Sequence, residues 1–400
     1  MIIPLPSFDL ARLVNGKLVA GQHTHGSLIP SWSETKLAGD CAVRVCTGSN
    51  IGYCIEKIAV LLDDSKILIG YSPISSRLED ITPTVRDLFG ADAANIQGIS
   101  VKERSVIVWS YSAVGVFHLG LNSVYESVYY RQFPAEIDLI SINEYYCLIK
   151  TRDNCLFEIT HVAMLDASQP IEKKEGSMPS RMCVFNDRPE LTFHDVKSIT
   201  KIHTSASWVL LLMENGSVYG REYNGPFFTD KLFTQVQIPE YETVTKIVNA
   251  YTHVIYITAA GNCYSQDTYG MSDLSSVPVL VKELQGHVED ATAICSGSIL
   301  AQCSNSSSLK TYCVRFYTLG GSAVRSLHLP TLDGMTVNAI THQAMRTCFV
   351  TDEDSVFWSY NILDAEPIIT RDPFFDSNLL ATGSNAARIR SAGSVLDDTR

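Results

Sequence analysis

The sequence predicts an all-β fold, a seven-bladed β-propeller, and three observations predict it. A hairpin unit recurs along the chain, with its clearest copies at residues 199–219 and 244–266. Strand formers and aromatic residues are plentiful, including 18 Tyr and 15 Phe, whereas strongly periodic helical segments are scarce. The outgoing strands of the units are apolar on both faces, as strands are when their sheet is packed between two others.

The repeat is defined by an apolar pair that follows each hairpin turn. The spacing of these pairs, about 40 to 62 residues, is typical of propellers and solenoids, whose units cannot bury their faces alone. The pairs are Leu18-Val19, Leu68-Ile69, Val116-Phe117, Leu156-Phe157, Val218-Tyr219, Cys263-Tyr264, Cys313-Val314 and Val356-Phe357. At Asn215-Gly216 the turn itself carries the strongest short-range hairpin signal.

The first unit is incomplete in the sequence. Asn15-Gly16 and residues 18–21 form a turn and a return strand, without a full outgoing strand before them. Seven fuller units follow. We therefore expect residues 18–21 to pair with the last unit, at 337–361, and so to close the ring and remove its exposed strand edges.

Composition argues against several classes of function. The formal net charge of -12 opposes direct binding to nucleic acid, and the longest basic run is Lys173-Lys174. No window reaches the roughly 18 to 20 apolar residues of a membrane span. No CxxC pair occurs, and no His completes a zinc spacing, so neither a metal nor a cofactor is expected.

The eleven cysteines are expected to be reduced. Most lie in apolar strand-like runs, where Cys behaves as a small hydrophobe. We expect Cys147, Cys263, Cys303 and Cys348 to be buried and to resist thiol labelling, because burial raises the pKa of an unpaired thiol.

One unit carries a family pattern, in which the order V-x-x-I-x-x-G-x-x-H precedes a strand, a turn and V-Y. Its columns hold Val244, Ile247, Ala250, His253 and Cys263-Tyr264. The pattern resembles the repeat of the regulator-of-chromosome-condensation family, which are seven-bladed propellers, and the resemblance covers roughly residues 8–365. It implies a propeller and, as one activity, nucleotide exchange on a Ran-like small GTPase.

Four residues of the repeat are interpreted as structural. His253 and Trp208 fill the histidine column of their units, and Gly216 and Gly261 fill the turn positions. We expect His253 to hydrogen-bond within its own blade rather than to catalyse or bind a metal.

No stretch of the sequence specifies a reaction. We interpret the chain as a non-enzymatic protein–protein interaction module of the regulator-of-chromosome-condensation type. A guanine-nucleotide exchange factor for a Ran-like GTPase is the alternative. A glycosidase or lyase propeller, which needs paired carboxylates near the central channel, is a third interpretation.

The partner surface is predicted at residues 164–194, where the spacing between repeat pairs is largest. Three prolines exclude a buried central strand there, so the segment is expected to be a long surface loop between blades. Its mixed charge and interspersed apolar side chains favour a docking element. The predicted contact residues are Glu172, Lys173, Lys174, Glu175, Met178, Arg181, Phe185 and Arg188.

We expect residues 1–375 to form a single domain and residues 376–400, rich in Ser, Ala, Gly and Asn, to be a disordered tail. Two prolines interrupt the apolar amino terminus, which argues against secretion. The protein is therefore expected in the cytoplasm, the nucleus or both. It is also expected to be a monomer.

Overall fold

The structure is a computed structural model, and the predicted tail, residues 376–400, lies outside the residues that it describes. It describes residues 2–4, 10–14, 17–22, 31–34, 42–50, 53–62, 66–70, 78–102, 105–118, 127–143, 146–160, 180–182, 196–205, 208–222, 233–239, 241–250, 252–268, 276–295, 297–305, 308–317, 322–327, 335, 337–343, 346–351, 355–360, 362 and 367–374.

Across these residues the chain forms eight four-stranded antiparallel sheets, each a meander of consecutive strands. Sheet 1 contains β1 (Ile2–Pro4), β2 (Leu10–Val14), β3 (Lys17–Gln22) and β4 (Ser31–Glu34). Sheet 2 contains β5 (Ala42–Asn50), β6 (Tyr53–Leu62), β7 (Ile67–Gly70) and β8 (Glu79–Asp80). Sheet 3 contains β9 (Gly98–Lys102), β10 (Ser105–Trp109), β11 (Ala113–His118) and β12 (Ser127–Gln132). Sheet 4 contains β13 (Ile137–Ile142), β14 (Tyr146–Thr151), β15 (Leu156–Thr160) and β16 (Ser180–Met182).

The second half repeats the same plan. Sheet 5 contains β17 (Ile199–Thr204), β18 (Trp208–Met213), β19 (Val218–Glu222) and β20 (Thr234–Gln235). Sheet 6 contains β21 (Val244–Asn249), β22 (His253–Thr258), β23 (Cys263–Asp267) and β24 (Val279–Leu280). Sheet 7 contains β25 (Val288–Cys295), β26 (Ser298–Asn305), β27 (Ser308–Phe316) and β28 (Ser322–Leu327). Sheet 8 contains β29 (Val337–Gln343), β30 (Arg346–Thr351), β31 (Val356–Tyr360) and β32 (Ile369–Arg371).

One α-helix and two 3₁₀ helices lie in the described connections between sheets. Helix α1 (Thr82–Phe89) and a 3₁₀ helix (Gly90–Asn95) join sheets 2 and 3, and a second 3₁₀ helix (Lys282–Leu284) joins sheets 6 and 7. A proline in its first turn favours the start of α1. Val85 and Phe89, four residues apart, bury one face of the helix against sheets 2 and 3.

The all-β, propeller-like repeat predicted from the sequence is confirmed. All the apolar pairs that define the repeat lie in the third strands of their sheets. The second strands are apolar on both faces for the predicted reason: every residue of β10, β14, β18 and β22 is buried. Sheets 3 to 6, which contain these strands, are each packed between two neighbours, so neither face of these strands meets water.

Six apolar clusters hold successive sheets together. They join sheets 2 and 3, 3 and 4, 4 and 5, 5 and 6, 6 and 7, and 7 and 8. Strand β2 lies against β5, and β1 lies against β29 and β30, which brings the first sheet against the last. The contacts between described sheets therefore follow the order of the chain and also join the first sheet to the last.

The predicted closure by an N-terminal strand is wrong. Residues 18–21 pair with β2 on one side and β4 on the other, within sheet 1, and not with the unit at 337–361. The described sheets number eight rather than seven because β1 and β2 complete a sheet that the sequence shows only in part. Pro4 interrupts the apolar pattern of β1, and Arg12 interrupts that of β2.

The four cysteines predicted to be buried are buried. Cys147, Cys263, Cys303 and Cys348 expose 0%, 0%, 1% and 1% of their surface. Burial raises the pKa of Cys263 to about 12 and that of Cys303 to about 11. These thiols stay protonated at neutral pH, which is why we expect them to resist labelling.

Hairpin turns hydrogen-bond sheet 5 to sheet 6 and sheet 6 to sheet 7. In sheet 5, the Gly216 amide donates to the Met213 carbonyl, and Gly216 has φ +78°. The Gly216 carbonyl then accepts a hydrogen bond of 3.1 Å from the amide of Val244, the first residue of sheet 6. Gly261, with φ +76°, accepts in the same way from Val288 of sheet 7, at 3.0 Å.

We predict that Gly216→Ala and Gly261→Ala each lower the free energy of unfolding by roughly 3 kcal/mol, from the left-handed backbone and from overpacking together. A Cβ on Gly216 would lie 2.9 Å from Thr243 Cα, and one on Gly261 would lie 2.8 Å from the carbonyl carbon of Gly286. Urea denaturation followed by circular dichroism measures the loss.

Gly286→Ala is the matched control for these two variants. Gly286 has the same φ of +76°, but no atom lies within 4 Å of its added Cβ, so only the backbone cost of about 1–2 kcal/mol remains. Equal losses for Gly261→Ala and Gly286→Ala would show that the close contact between sheets 6 and 7 contributes nothing.

Candidate partner-binding site

The connections between strands leave the sheets at two opposite ends. Because the four strands of each sheet alternate in direction, the connections after the first and third strands lie at one end, which we call the long-loop end. The hairpin turns after the second strands and the links from one sheet to the next lie at the other end, which we call the hairpin end. A partner can approach either end without disturbing the apolar contacts between sheets.

The segment predicted as one long loop, residues 164–194, contains a strand, which corrects that expectation. Strand β16 lies in its middle and pairs with β15, with Arg181 opposite Phe157. Residues 161–179 and 183–195, on either side of β16 in the sequence, lie outside the described residues. A strand is compatible with the prolines here because β16 is the outermost strand of its sheet and Pro179 and Pro189 flank it.

The eight predicted contact residues stay a prediction, because the structure describes only one of them. Glu172, Lys173, Lys174, Glu175 and Met178 precede β16, whereas Phe185 and Arg188 follow it. These seven residues lie outside the described ones, and the structure places the backbone of Arg181 only, on β16.

The residues of the histidine column lie at the long-loop end, each at the start of a second strand. His253 exposes only 3% of its surface, its Nδ1 lies 3.0 Å from Thr252 Oγ1, and its ring lies 5.4 Å from that of Phe316 in sheet 7. Burial lowers the pKa of His253, although Asp267 and the backbone of Tyr317 oppose part of the shift. The imidazole is thus neutral at pH 7 and lies between two sheets.

The same column joins sheets 4 and 5. The Tyr146 hydroxyl and the Asn143 side-chain amide both donate to the Ser205 carbonyl, at 3.0 and 2.8 Å. Ser205 Oγ in turn accepts from the backbone amide of Trp208, whose side chain is buried. A side chain of one sheet thereby holds the first turn of the next.

A buried polar network lies at the hairpin end of sheet 6. Glu242 Oε1 accepts from Asn262 Nδ2 and, at 3.2 Å, from the Tyr264 hydroxyl. The Gly286 amide donates to Asn262 Oδ1 at 2.9 Å. Burial raises the pKa of Tyr264 to about 12, and the charge of Glu242, the hydrogen bond to it and Tyr241 add to the shift.

The network supports an exposed turn. The Glu242 amide donates to the Pro239 carbonyl at 2.9 Å, which closes a β-turn with Tyr241 near its tip. Tyr241 exposes 85% of its surface, the largest fraction among the exposed large hydrophobic side chains of the described residues. Sequence analysis overlooks Tyr241 and Glu242, although a proline two residues before a tyrosine signals such a turn.

Lys150 joins sheets 4 and 5 at the hairpin end and is also overlooked by sequence analysis. Its side chain is 5% exposed, and Nζ donates to the Ile199 carbonyl at 2.9 Å and to the Lys197 carbonyl at 3.3 Å. Asp138 Oδ2 lies 2.7 Å from the same nitrogen. The available signal is one charged residue at the end of an otherwise apolar second strand.

Metal and membrane chemistry find no support in the described part of the chain. There, no group of three or more His, Cys, Asp and Glu side chains is arranged to hold a metal ion. No helix of the described residues has the length and apolarity that crossing a membrane requires.

Comparisons with known proteins give similarity to solved structures alone. No protein-family model and no curated protein matches the chain. Saccharomyces cerevisiae Prp20p, whose binding to Gsp1p and histones has been studied, matches with a TM-score of 0.48 and 10% identity over 84% of this chain and 89% of its own. The WD40 domain of SCAP from fission yeast matches with a TM-score of 0.46 and 9% identity over 83% and 87%. Human WBSCR16 matches with a TM-score of 0.41 and 13% identity over 72% and 87%.

We predict that Lys150→Met lowers the free energy of unfolding by about 1–3 kcal/mol, because it removes the donor to the buried Ile199 carbonyl and to the partly buried Lys197 carbonyl. Thermal unfolding of the two proteins measures the difference. Arg152→Met is the control: its ion pair with Glu136 is exposed at both side chains, 65% and 50%, and exposed pairs contribute about 0–1 kcal/mol. Similar losses for the two variants would contradict a special role for Lys150.

Proposed function

We propose that the chain is a non-enzymatic protein–protein interaction module, a ring of sheets that presents its connections to protein partners. The observation that carries the proposal is the arrangement of the connections after the third strands. In each described sheet the third strand ends at the long-loop end, and in sheets 4, 5 and 6 the fourth strand begins only after residues 161–179, 223–233 and 268–278.

The composition of these connections suits protein recognition. They combine Gly, Ser and Pro with aromatic residues, among them Tyr71, Tyr125, Tyr223, Phe227, Phe228 and Tyr269. Tyrosine and phenylalanine supply large contact area at low conformational-entropy cost, and Ser and Gly supply adaptable hydrogen bonding. The described strands that carry the connections are held between buried sheet faces, so the framework beneath a partner is rigid.

We predict that shortening residues 165–177 with a Gly-Ser link weakens binding of the natural partner at least about tenfold and leaves the melting temperature unchanged. Both deletion and control keep β16, because removing that strand would expose β15. The partner is first identified by affinity purification of the intact chain and mass spectrometry, and is then titrated in purified form.

The control for this deletion is a Gly-Ser replacement of residues 185–193. It shortens the same predicted contact segment after β16 rather than before it, and we expect it to retain binding. Full binding by the 165–177 variant would contradict the assignment of the partner surface to the long-loop end.

Nucleotide exchange on a Ran-like small GTPase is the second candidate. The repeat columns that resemble the regulator-of-chromosome-condensation family support it, because His253, Trp208 and Tyr146 occupy equivalent positions at the starts of second strands. An exchange factor needs no covalent chemistry of its own; it stabilises the nucleotide-free GTPase.

We predict for this candidate that the purified chain accelerates release of a fluorescent guanine nucleotide from a Ran-like GTPase, and that the 165–177 variant does so less well. The measurement is stopped-flow fluorescence with excess unlabelled nucleotide. A release rate equal to the intrinsic one, at micromolar concentrations of the chain, would restrict the function to binding.

A further inference from the structure

We propose that the hairpin end carries a second site, formed by Tyr241 and Glu242, which recognises an arginine side chain of a protein partner. The site goes beyond the proposed function, because it lies at the opposite end from the long-loop surface. Its argument rests on one buried carboxylate oxygen and on the aromatic side chain next to it in the chain.

Glu242 is only half satisfied in its buried position. The residue exposes 8% of its surface. Oε1 accepts both hydrogen bonds, from Asn262 and from Tyr264, whereas the buried Oε2 has no hydrogen-bond partner among the described residues. A buried polar atom without a partner is costly and rare, and such atoms mark sites where another group completes the arrangement.

The missing partner must be a hydrogen-bond donor, because Oε2 belongs to a carboxylate. A cationic donor restores the favourable environment that the charge loses on burial. The chain as a whole favours such a partner, since its formal net charge is -12, and a net negative protein attracts basic partners over long distances.

Tyr241 selects arginine among the cationic side chains. Its ring is 85% exposed, and a planar guanidinium stacks on an aromatic face while its N–H groups remain free to donate. The lysine ammonium is a compact, strongly hydrated charge and gains less from such a surface. Tyrosine is also among the residue types that are enriched in interface hot spots, and here it precedes the residue with the desolvated acceptor in the chain.

The turn holds these two residues in a fixed relation. Ile238 packs against the apolar cluster of sheets 5 and 6 on one side. On the other side, the Thr243 carbonyl accepts from the Ala259 amide at 2.8 Å. Because Oε2 is covered in the free chain, arginine binding includes a rotamer change within this anchored turn, and the rest of the sheet stays in place.

The test uses fluorescence anisotropy with the full chain and three labelled octapeptides, in which Ser alternates with Arg, Lys or Glu. We expect the Arg peptide to bind at least about fivefold more tightly than the Lys peptide and the Glu peptide not to bind. Tyr241→Ala and Glu242→Gln should each weaken binding of the Arg peptide about tenfold. The loss of binding free energy in the double variant should differ from the sum of the two single losses, which would show coupling between the two residues. Equal affinity for the Arg and Lys peptides would overturn the proposal, since it would reflect net charge alone.

Two controls separate recognition from folding. Tyr111→Ala removes another exposed tyrosine at the hairpin end, 45% exposed, and should leave affinity unchanged. Glu242→Gln keeps a carbonyl oxygen for Asn262 and Tyr264, so its melting temperature should equal or exceed that of the wild type. Unchanged Arg-peptide affinity in Glu242→Gln, or equal losses in Tyr111→Ala and Tyr241→Ala, would overturn the site. The 165–177 variant should bind the Arg peptide normally whether or not the long-loop surface proves to be functional.

Discussion

The middle of the structure depends on one repeated hydrogen bond between neighbouring sheets. In it, the amide of the first residue of one sheet donates to a hairpin-turn carbonyl of the sheet before it. Apolar burial holds neighbouring sheets together, but it is non-directional and does not fix how far one sheet slides along another. The bonds from Val244 to Gly216 and from Val288 to Gly261 fix that position. They also give hydrogen-bond partners to the amides of the first residues of the first strands, which would otherwise lack them.

The opposite end has its own fastening, made by side chains. Tyr146 reaches the turn of sheet 5, and His253 lies beside Gly297 and Phe316 of sheet 7. Polar contacts between sheets thus lie at both the long-loop end and the hairpin end, and apolar contacts lie between the two ends. The apolar clusters contribute most of the stability, and the polar contacts at the two ends fix how the sheets are placed relative to one another.

The sequence predicts the elements that carry a dense local signal. Asn215-Gly216 and the buried second strands are examples, because turn chemistry and a run of apolar residues act over a few neighbouring positions. The fourth strands β8, β20 and β24 contain two residues each, too few to show a period. Strand β16 was missed because prolines flank it, although an outermost strand tolerates them.

The candidate site is harder to predict than the fold, since it depends on distances between atoms far apart in the chain. Glu242 reaches Asn262 and Tyr264 across a strand and a turn, and no local pattern indicates that Oε2 is left over. Lys150 looks like an ordinary strand end until the carbonyls of Lys197 and Ile199 are placed beside it. Strand β16 likewise lies inside a segment that the sequence predicts as one loop.

Each described sheet closes within one contiguous stretch of chain, and this has a consequence for the order of folding. Local meanders have low contact order, so the sheets can form one after another as the chain is synthesised. Contact between β1 and the strands β29 and β30 is the exception, because it joins residues from opposite ends of the chain. Its loop-closure entropy grows only slowly with length. A circular permutant opened between two other sheets would incur a similar entropy cost at a different junction, and the last step of folding would move there.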